Sequence, residues 1–166
     1  VNLAQSPHLV GIHDVYDRGR LWGQPIPIVS PEQRVGTTWL DCNTDKIAAI
    51  VFTNVPDPGA RLMSTKPEHQ QMAEHLLKFL KKEIALGRIS NPLPPMQSGV
   101  GGVANAVLGG LLHSDLEGLT FYSEVIQDAV LDLIDCGKMT CASATGVSFT
   151  AEARQRFQQR AAHYAE

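Results

Sequence analysis

Apolar residues recur every three or four positions between residues 72 and 84, and lysines occupy the opposite side of that stretch. This spacing predicts an amphipathic helix whose apolar stripe packs inward and whose lysines face solvent. Thr65 and Glu68 form a capping-box pattern with Pro67 between them, so they predict the start of the helix. Gly87 predicts its end.

The remaining regular elements alternate between strands and helices. Ile47–Thr53 is a continuous apolar run, which predicts a strand buried on both faces. Further strands are predicted at Leu93–Met96, Leu119–Ser123 and Met139–Thr145, and further helices at Val103–Leu112, at Ile126–Ile134 with Gly137 as its end, and from a Thr150 cap to Glu166. This alternation predicts an α/β fold with an open, largely parallel sheet and flanking helices.

The first third of the chain has weaker patterns. Trp22–Ile28 alternates prolines with apolar residues, which suits an extended segment or an edge strand. Thr37–Asp41 is a candidate short strand. Asn54–Thr65 is dense in turn-forming residues, so we predict a linker there and a domain boundary between residues 56 and 66.

The composition narrows the class of protein. A length of 166 residues with 43% hydrophobic residues suits one ordinary domain or parts of two. The formal charge is -3 and the basic residues are scattered, so we expect no nucleic-acid partner and no membrane-surface binding. No apolar run has the length of a membrane span. Cys42, Cys136 and Cys141 form no CxxC pair, which favours a reducing compartment over a disulfide framework.

Two features indicate a ligand site. Glycines from Gly99 to Gly102 stand at a predicted strand-to-helix turn, where the first amides of the helix point outward at its positive dipole end and suit an anion. Glu124 is a lone carboxylate that we predict at the point where the next strand gives way to a helix. Because ligands of open α/β sheets bind at the carboxyl ends of strands, both features indicate one crevice.

One alternative is dinucleotide binding by a Rossmann-type oxidoreductase domain. Gly99–Ala104 fits the pattern G-x-G-x-x-G/A, and Glu124 would be the ribose-binding acid. Pro94 and Pro95 in the supposed first strand weigh against it, as does a gap of 25 residues from Gly99 to Glu124, where about 20 is usual.

Other chemistries fit less well. Ser98 is not in a nucleophile elbow, because Met96 stands where that motif needs glycine. The six histidines show no HExxH spacing, so we expect no zinc site. Asp128, Asp132 and Asp135 recur along one side of a predicted helix, and we interpret them as a solvated face.

Longer stretches carry a more specific resemblance. Gln97–Leu108, Tyr122–Asp128 and Ala142–Gly146 resemble the acetyl-CoA hydrolase/transferase family, which includes class I CoA-transferases. Similarity extends upstream through Gly11–Asp14, Gln24–Ile28, Gln33–Gly36 and Lys46–Asn54, and so covers essentially the whole chain.

The resemblance implies roles for individual residues. Glu124 matches the glutamate that attacks an acyl-CoA thioester, forming a mixed anhydride and then a glutamyl-CoA thioester. Such a carboxylate is already ionised at neutral pH and needs no base, since an ordinary glutamate pKa is about 4.3. Gly99, Val100 and Gly101 match the family's glycine loop, whose amides are suited to hold the tetrahedral oxyanion. Without these motifs, Glu124 would be interpreted as an acid beside a helix N-terminus.

The resemblance also implies substrates and context. The expected activity is CoA transfer between acetyl-CoA or succinyl-CoA and a short carboxylate such as acetate, or acetyl-CoA hydrolysis; a non-catalytic CoA-binding fragment is a further alternative. Coenzyme A would be a substrate, with no bound cofactor and no metal. We expect a homodimer in the full-length protein and a cytoplasmic location, with a mitochondrial one as the alternative.

The same resemblance predicts a division of the chain. Residues 1–60 match the C-terminal end of the first CoA-transferase domain plus the linker, and residues 61–166 match the N-terminal part of the second domain. The chain is therefore expected to be a fragment of a longer protein. Expressed alone, it is expected to pack loosely and to show no acyl-CoA turnover, because the substrate of this family lies between the two domains.

Overall fold

A computed structural model describes residues 25, 27–34, 36, 43–55 and 65–165 of the chain. These residues fall into two compact units. The larger unit comprises residues 30–32 and 65–153, and it contains the sheet and the candidate site. The described residues of the smaller unit are 25, 27–29, 33, 34, 36, 43–55 and 154–165.

In the smaller unit, the predicted buried strand Ile47–Thr53 is wrong. A short 3-10 helix, Thr44–Lys46, leads into this stretch, which forms no strand. Ile50, Val51 and Phe52 are 72%, 82% and 80% exposed. The physical reason is pairing: an extended segment becomes a strand only when a neighbour takes its N–H and C=O groups. The part of this unit that the structure describes contains no other strand to do so.

Three predictions for the first part of the chain concern residues outside the described ones. The candidate strand Thr37–Asp41 lies wholly among them. The predicted domain boundary between residues 56 and 66 falls largely on residues 56–64, which lie outside the described ones, so the division at residue 60 stays a prediction. Of the Trp22–Ile28 segment, the described residues 25, 27 and 28 belong to no strand.

In the larger unit, helix α1 spans Pro67–Ala85. Its N-cap is Lys66 and not Thr65, because Pro67 takes the first helical position that its fixed φ favours. His69 Nδ1 accepts the N–H of Lys66 at 3.2 Å, the role predicted for the side chain of Glu68. The predicted end at Gly87 is confirmed: its φ is 68°, and the N–H of Arg88 reaches the carbonyl of Glu83 at 2.9 Å.

Fewer apolar residues of α1 are buried than the sequence pattern predicts. Ala73 is buried and Leu77, Leu80 and Ile84 pack against the core. Met72 and Leu76, which were predicted on the same stripe, are 54% and 40% exposed. Of the lysines predicted to face solvent, Lys81 is about half exposed and pairs with Asp115 at 2.7 Å, which holds the pKa of that carboxyl below its ordinary value.

Helix α2, Gly102–Leu112, packs against α1 through glycines. A Cβ on Gly110 would lie 2.6 Å from Leu77 Cδ1, and one on Gly102 would lie 2.4 Å from the His69 ring. Close packing was predicted for Gly109 and Gly110 and is confirmed for Gly110, whereas Gly109 has open space around it. The contact at Gly102 was not predicted, because the approach of His69 depends on the angle between two helices.

Within the described residues, two parallel strands form the sheet. Strand β1 spans Leu119–Gln127 and strand β2 spans Met139–Ser148, and helix α3, Asp128–Asp135, connects them. On the other edge of β1, Met96 forms a parallel bridge to Phe121, so the proline-rich Leu93–Met96 contributes a single paired residue. Each proline lacks the N–H that a ladder needs, which explains the short pairing. The predicted α/β fold with an open parallel sheet and flanking helices is confirmed.

The core lies between this sheet and helices α1 to α3. Phe121, Leu119, Val130 and Leu133 are fully buried at its centre, with 0% of their surface exposed. The predicted end of α3 at Gly137 is also confirmed, with a φ of 76° and the N–H of Lys138 bonded to the carbonyl of Leu133. These contacts fix β1, which carries Glu124.

The last helix is interrupted. Helix α4 spans Ala151–Gln159 and helix α5 spans Ala161–Ala165, with a turn at Arg160. The predicted Thr150 cap is confirmed, because its hydroxyl accepts the N–H of Ala153 at 3.2 Å. The predicted unbroken helix is wrong, because the chain turns at Arg160; the Phe157 and Tyr164 rings on either side of this turn stack with centroids 5.5 Å apart, an arrangement that helix propensity does not encode.

Candidate active site

The glycine loop lies at the carboxyl edge of the sheet. It follows the bridge at Met96 and runs directly into the N-terminus of α2. Gly101 is the N-cap of α2 and has a φ of 152°, which residues other than glycine rarely adopt. Val100 is 63% exposed, so the loop presents its backbone at an open surface. The first amides of α2 have no acceptor within the helix and lie at its positive end.

Two buried polar side chains of β1 hold this loop. The Ser123 hydroxyl donates to the carbonyl of Ser98 at 2.9 Å and accepts the N–H of Ser98 at 3.4 Å. The Gln127 amide donates from Nε2 to the carbonyl of Gly99 at 3.0 Å. Ser123 is 9% and Gln127 is 7% exposed. The loop is therefore fixed by the same strand that carries the candidate nucleophile.

Glu124 lies inside β1, three residues before its end at Gln127. We predicted that the strand gives way to a helix at Glu124, but the strand continues for three more residues. Its side chain is exposed, whereas its neighbour Ser123 is buried, so the two project from opposite faces of the strand. The carbonyl of Glu124 accepts the Thr145 hydroxyl of β2 at 2.7 Å, which ties its backbone on the other side.

The parallel register brings the loop and Glu124 to one level. Phe121 pairs with Met96, which lies 25 residues earlier, and Ser123 is hydrogen-bonded to Ser98, which is also 25 residues earlier. Extended by one residue beyond Ser98, the same offset sets Gly99 opposite Glu124, and the carbonyl of Gly99 is bonded further along β1, by Gln127. The gap of 25 residues that weighed against a dinucleotide site is thus the register offset between the loop segment and the part of β1 that carries Glu124.

Asp128 and Thr150 connect the ends of the two strands. The Asp128 carboxylate accepts the backbone N–H of Thr150 at 3.0 Å and its hydroxyl at 2.6 Å. Our interpretation of Asp128 as part of a solvated face is therefore wrong for this residue: the carboxylate is half-buried because the helix cap after β2 reaches it. The pair stabilises the carboxyl edge beneath the candidate site.

Two cysteines lie among the described residues, and the hydrogen bonds of both go to carbonyls outside the loop. Cys141, on β2, donates from Sγ to the carbonyl of Pro31 at 3.3 Å. Burial, with a smaller contribution from the Glu32 carboxylate, raises the pKa of the Cys141 thiol, so it is a poor nucleophile at neutral pH. Cys136 is exposed at the end of α3.

Two kinds of feature are absent from the described residues. Among them, no three His, Cys, Asp or Glu residues come together in an arrangement that could hold a metal ion. No helix in the same part of the chain is both long and apolar enough to cross a membrane.

Sequence reasoning missed the two residues that hold the loop. Ser123 and Gln127 follow Leu119 and Phe121 on the inward face of β1, where apolar residues are the rule. Two polar residues at the carboxyl end of that face were a usable signal, because buried polar groups require partners. The sequence alone did not reveal that the partners are carbonyls of the glycine loop.

The chain is similar in sequence to several curated proteins. It is 43% identical over 158 residues to the succinyl-CoA:acetate CoA-transferase of Clostridium kluyveri. It is 36% identical over 152 residues to the acetyl-CoA hydrolase of Neurospora crassa, and 36% identical over 141 residues to the propanoyl-CoA:succinate CoA transferase of Escherichia coli. No family model matches the chain.

The alignments cover most of this chain but only a small part of each relative. The three alignments cover 95%, 91% and 84% of this chain. The chain spans 29% of the length of each of these relatives. The similar segment includes Glu124 and the glycine loop, because the alignments cover nearly the whole chain.

Proposed function

By sequence this chain belongs to the family of acetyl-CoA hydrolases and CoA-transferases, and on this premise we propose that it carries the nucleophilic part of an acyl-CoA site. Glu124 is the nucleophile, and the backbone amides of Gly99, Val100 and Gly101 stabilise the oxyanion. The substrates are an acyl-CoA, such as acetyl-CoA or succinyl-CoA, and a short carboxylate. With water as the final acceptor, the same site would hydrolyse the acyl-CoA.

The transfer steps of this chemistry need no external base, because each nucleophile is already an anion. The Glu124 carboxylate attacks the thioester carbonyl, and the tetrahedral oxyanion collapses to a mixed anhydride and CoA thiolate. The thiolate then attacks the glutamyl carbonyl, releasing the first acid as its carboxylate and leaving a glutamyl-CoA thioester. An incoming carboxylate reverses these steps to give the new acyl-CoA and free Glu124. Water instead adds to the thioester and releases free Glu124 and CoA thiol, with one proton of the water going to the CoA sulfur and the other to solvent.

One observation supports this proposal most strongly: the common register offset of the glycine loop and Glu124. Ser98 is hydrogen-bonded to Ser123, the residue immediately before Glu124. Donors for an oxyanion and a carboxylate nucleophile thus occur on adjacent segments at the carboxyl edge of the sheet. The exposed Glu124 side chain leaves room for a substrate on its own face of β1.

Further features of the proposal rest on the resemblance alone. Coenzyme A acts as a substrate, with no bound cofactor and no metal. The full-length protein forms a homodimer and acts in the cytoplasm, with the mitochondrion as the alternative. The formal charge of -3 gives no support for a nucleic-acid partner.

An acyl-exchange assay on the full-length protein tests the proposed activity. With labelled acetate and succinyl-CoA, we expect label to appear in acetyl-CoA for a transferase. Release of free CoA without acetate would identify a hydrolase. Absence of both activities, with the folded protein and both acyl-CoA donors present, would contradict the proposal and favour the non-catalytic CoA-binding alternative.

Thermal protection separates CoA chemistry from dinucleotide binding. A ligand that binds only the folded state raises the free energy of unfolding by about 2.7 kcal/mol when its concentration is a hundred times its Kd. We expect acyl-CoA to raise the Tm of the full-length protein and NAD or NADP to leave it unchanged. Protection by NAD and none by acyl-CoA would reverse the assignment of Gly99–Ala104.

A further inference from the structure

We propose that Gln127 and Ser123 are positioning residues that aim the backbone amides of the glycine loop toward the acyl group that Glu124 attacks. This inference rests on the function proposed above and adds residues that do not touch the substrate. It concerns the direction in which the loop presents its donors.

The two side chains hold successive carbonyls of the loop. Ser123 donates to the carbonyl of Ser98 at 2.9 Å, and Gln127 donates to the carbonyl of Gly99 at 3.0 Å. Both donors come from the buried side of β1. Because they are packed within the fold, they lose little further freedom on substrate binding and can hold the loop in one arrangement.

Because the peptide bond is planar, a contact that holds a carbonyl also fixes the direction of the N–H of the next residue. In a trans peptide the C=O of one residue and the N–H of the next lie in one plane and point in opposite directions. When Gln127 holds the carbonyl of Gly99, it therefore sets the direction of the Val100 N–H. Ser123 sets the direction of the Gly99 N–H in the same way, through the carbonyl of Ser98.

Both amides then point away from the side chains that hold the carbonyls. Ser123 and Gln127 lie on the buried face of β1, and Glu124 projects from the opposite face. The Gly99 and Val100 amides are thereby kept from turning toward the buried side. Donors fixed before the reaction stabilise a developing oxyanion without having to reorient.

The loop carbonyls do not need Ser123 and Gln127 merely to have a hydrogen-bond partner. Gly99 is exposed, so water could satisfy its carbonyl without a buried glutamine. What the Gln127 contact adds is a fixed orientation in a loop of two glycines and a valine, which would otherwise sample many conformations. A buried amide also needs a partner itself, which makes the contact persistent.

Substitution of Gln127 by methionine removes the donor and keeps a similar shape. In the full-length protein, we expect Gln127→Met to lower kcat about 10²-fold, the loss typical of misplacing a catalytic group by about 1 Å. The KM for acyl-CoA should stay close to that of the unmodified protein, because the substitution leaves the surface that contacts CoA intact. The rate of glutamyl-CoA formation, trapped with borohydride on Glu124, should fall by the same factor.

Two further variants separate positioning from stability. Thr140→Val is the matched control, because Thr140 donates to a β1 carbonyl, that of Leu119, at the opposite end of the strand; its kcat should be unchanged. Ser123→Ala should lower kcat, and Ser123→Thr should restore it by replacing the hydroxyl. This second pair decides the matter if Gln127→Met does not fold.

The outcomes distinguish this inference from the function on which it rests. A reduced kcat with unchanged KM, together with rescue by Ser123→Thr, supports the positioning role. If the unmodified protein forms the Glu124 thioester but Gln127→Met and Ser123→Ala turn over at its rate, the positioning role is wrong and the proposed function stands. If the unmodified protein forms no thioester at Glu124, both are wrong.

Discussion

Replacement of Glu124 by glutamine is expected to abolish acyl exchange in the full-length protein. The amide has nearly the same size but is neither charged nor nucleophilic, so neither the anhydride nor the glutamyl thioester can form. Removal of the nucleophile from another covalent enzyme lowers kcat by a factor on the order of 10⁶, and we expect a loss approaching that here. Because the Glu124 side chain is exposed, the fold should be unaffected.

A matched control is available close to the start of β1. Glu117 is also an exposed glutamate, just before the strand, and Glu117→Gln should retain full activity. Steady-state exchange between succinyl-CoA and labelled acetate measures both variants. Exchange at the unmodified rate in Glu124→Gln would contradict the assignment of the nucleophile.

Substitution of Phe121 by alanine is expected to give the largest loss of stability. Phe121 has no exposed surface, lies in the core cluster, and pairs through its backbone with Met96. Truncating a buried phenylalanine costs about 3–5 kcal/mol, because apolar contacts are lost and a cavity remains. Urea unfolding should show a lower midpoint with an unchanged slope.

Tyr122 provides the control for this substitution. It is the next residue along β1, but its ring is on the opposite face and 44% of its surface is exposed. Tyr122→Ala should therefore lower stability much less than Phe121→Ala. Equal losses for the two variants would show that the buried face of β1 has been assigned incorrectly.

Local patterns were sufficient to predict that the helices of the larger unit exist and where two of them end. The helices α1, α2 and α3 follow from apolar periodicity, and Gly87 and Gly137 mark two of their ends through their positive φ values. These features depend on residues within one or two turns of each other. For that reason they can be predicted without knowing the tertiary structure.

Predictions that required a distant partner fared less well. The Ile47–Thr53 run has the composition of a buried strand, yet composition does not supply the neighbouring strand that pairing requires. The division of α1 into partly buried Leu77 and exposed Leu76 depends on where α2 packs. The hold of Gln127 on Gly99 joins residues 28 positions apart, which no local pattern encodes.

The candidate site falls between these cases. Resemblance to a known family identified Glu124 and the Gly99–Gly101 loop as a set, whereas generic motifs left a dinucleotide site open. The parallel register then explained their separation in the sequence, since Met96 and Phe121 share the same offset. Their catalytic roles stay predictions until the covalent intermediate is observed.

Trapping of the covalent intermediate tests the central claim most directly. The full-length protein is incubated with acyl-CoA and then with borohydride, which reduces a glutamyl thioester to a primary alcohol, and the peptides are mapped by mass spectrometry. We predict that the reduced residue is Glu124, within the Phe121–Asp128 segment, and that omission of acyl-CoA leaves it unmodified. Reduction at a different residue, or none during active turnover, would contradict a glutamyl-CoA mechanism at this site.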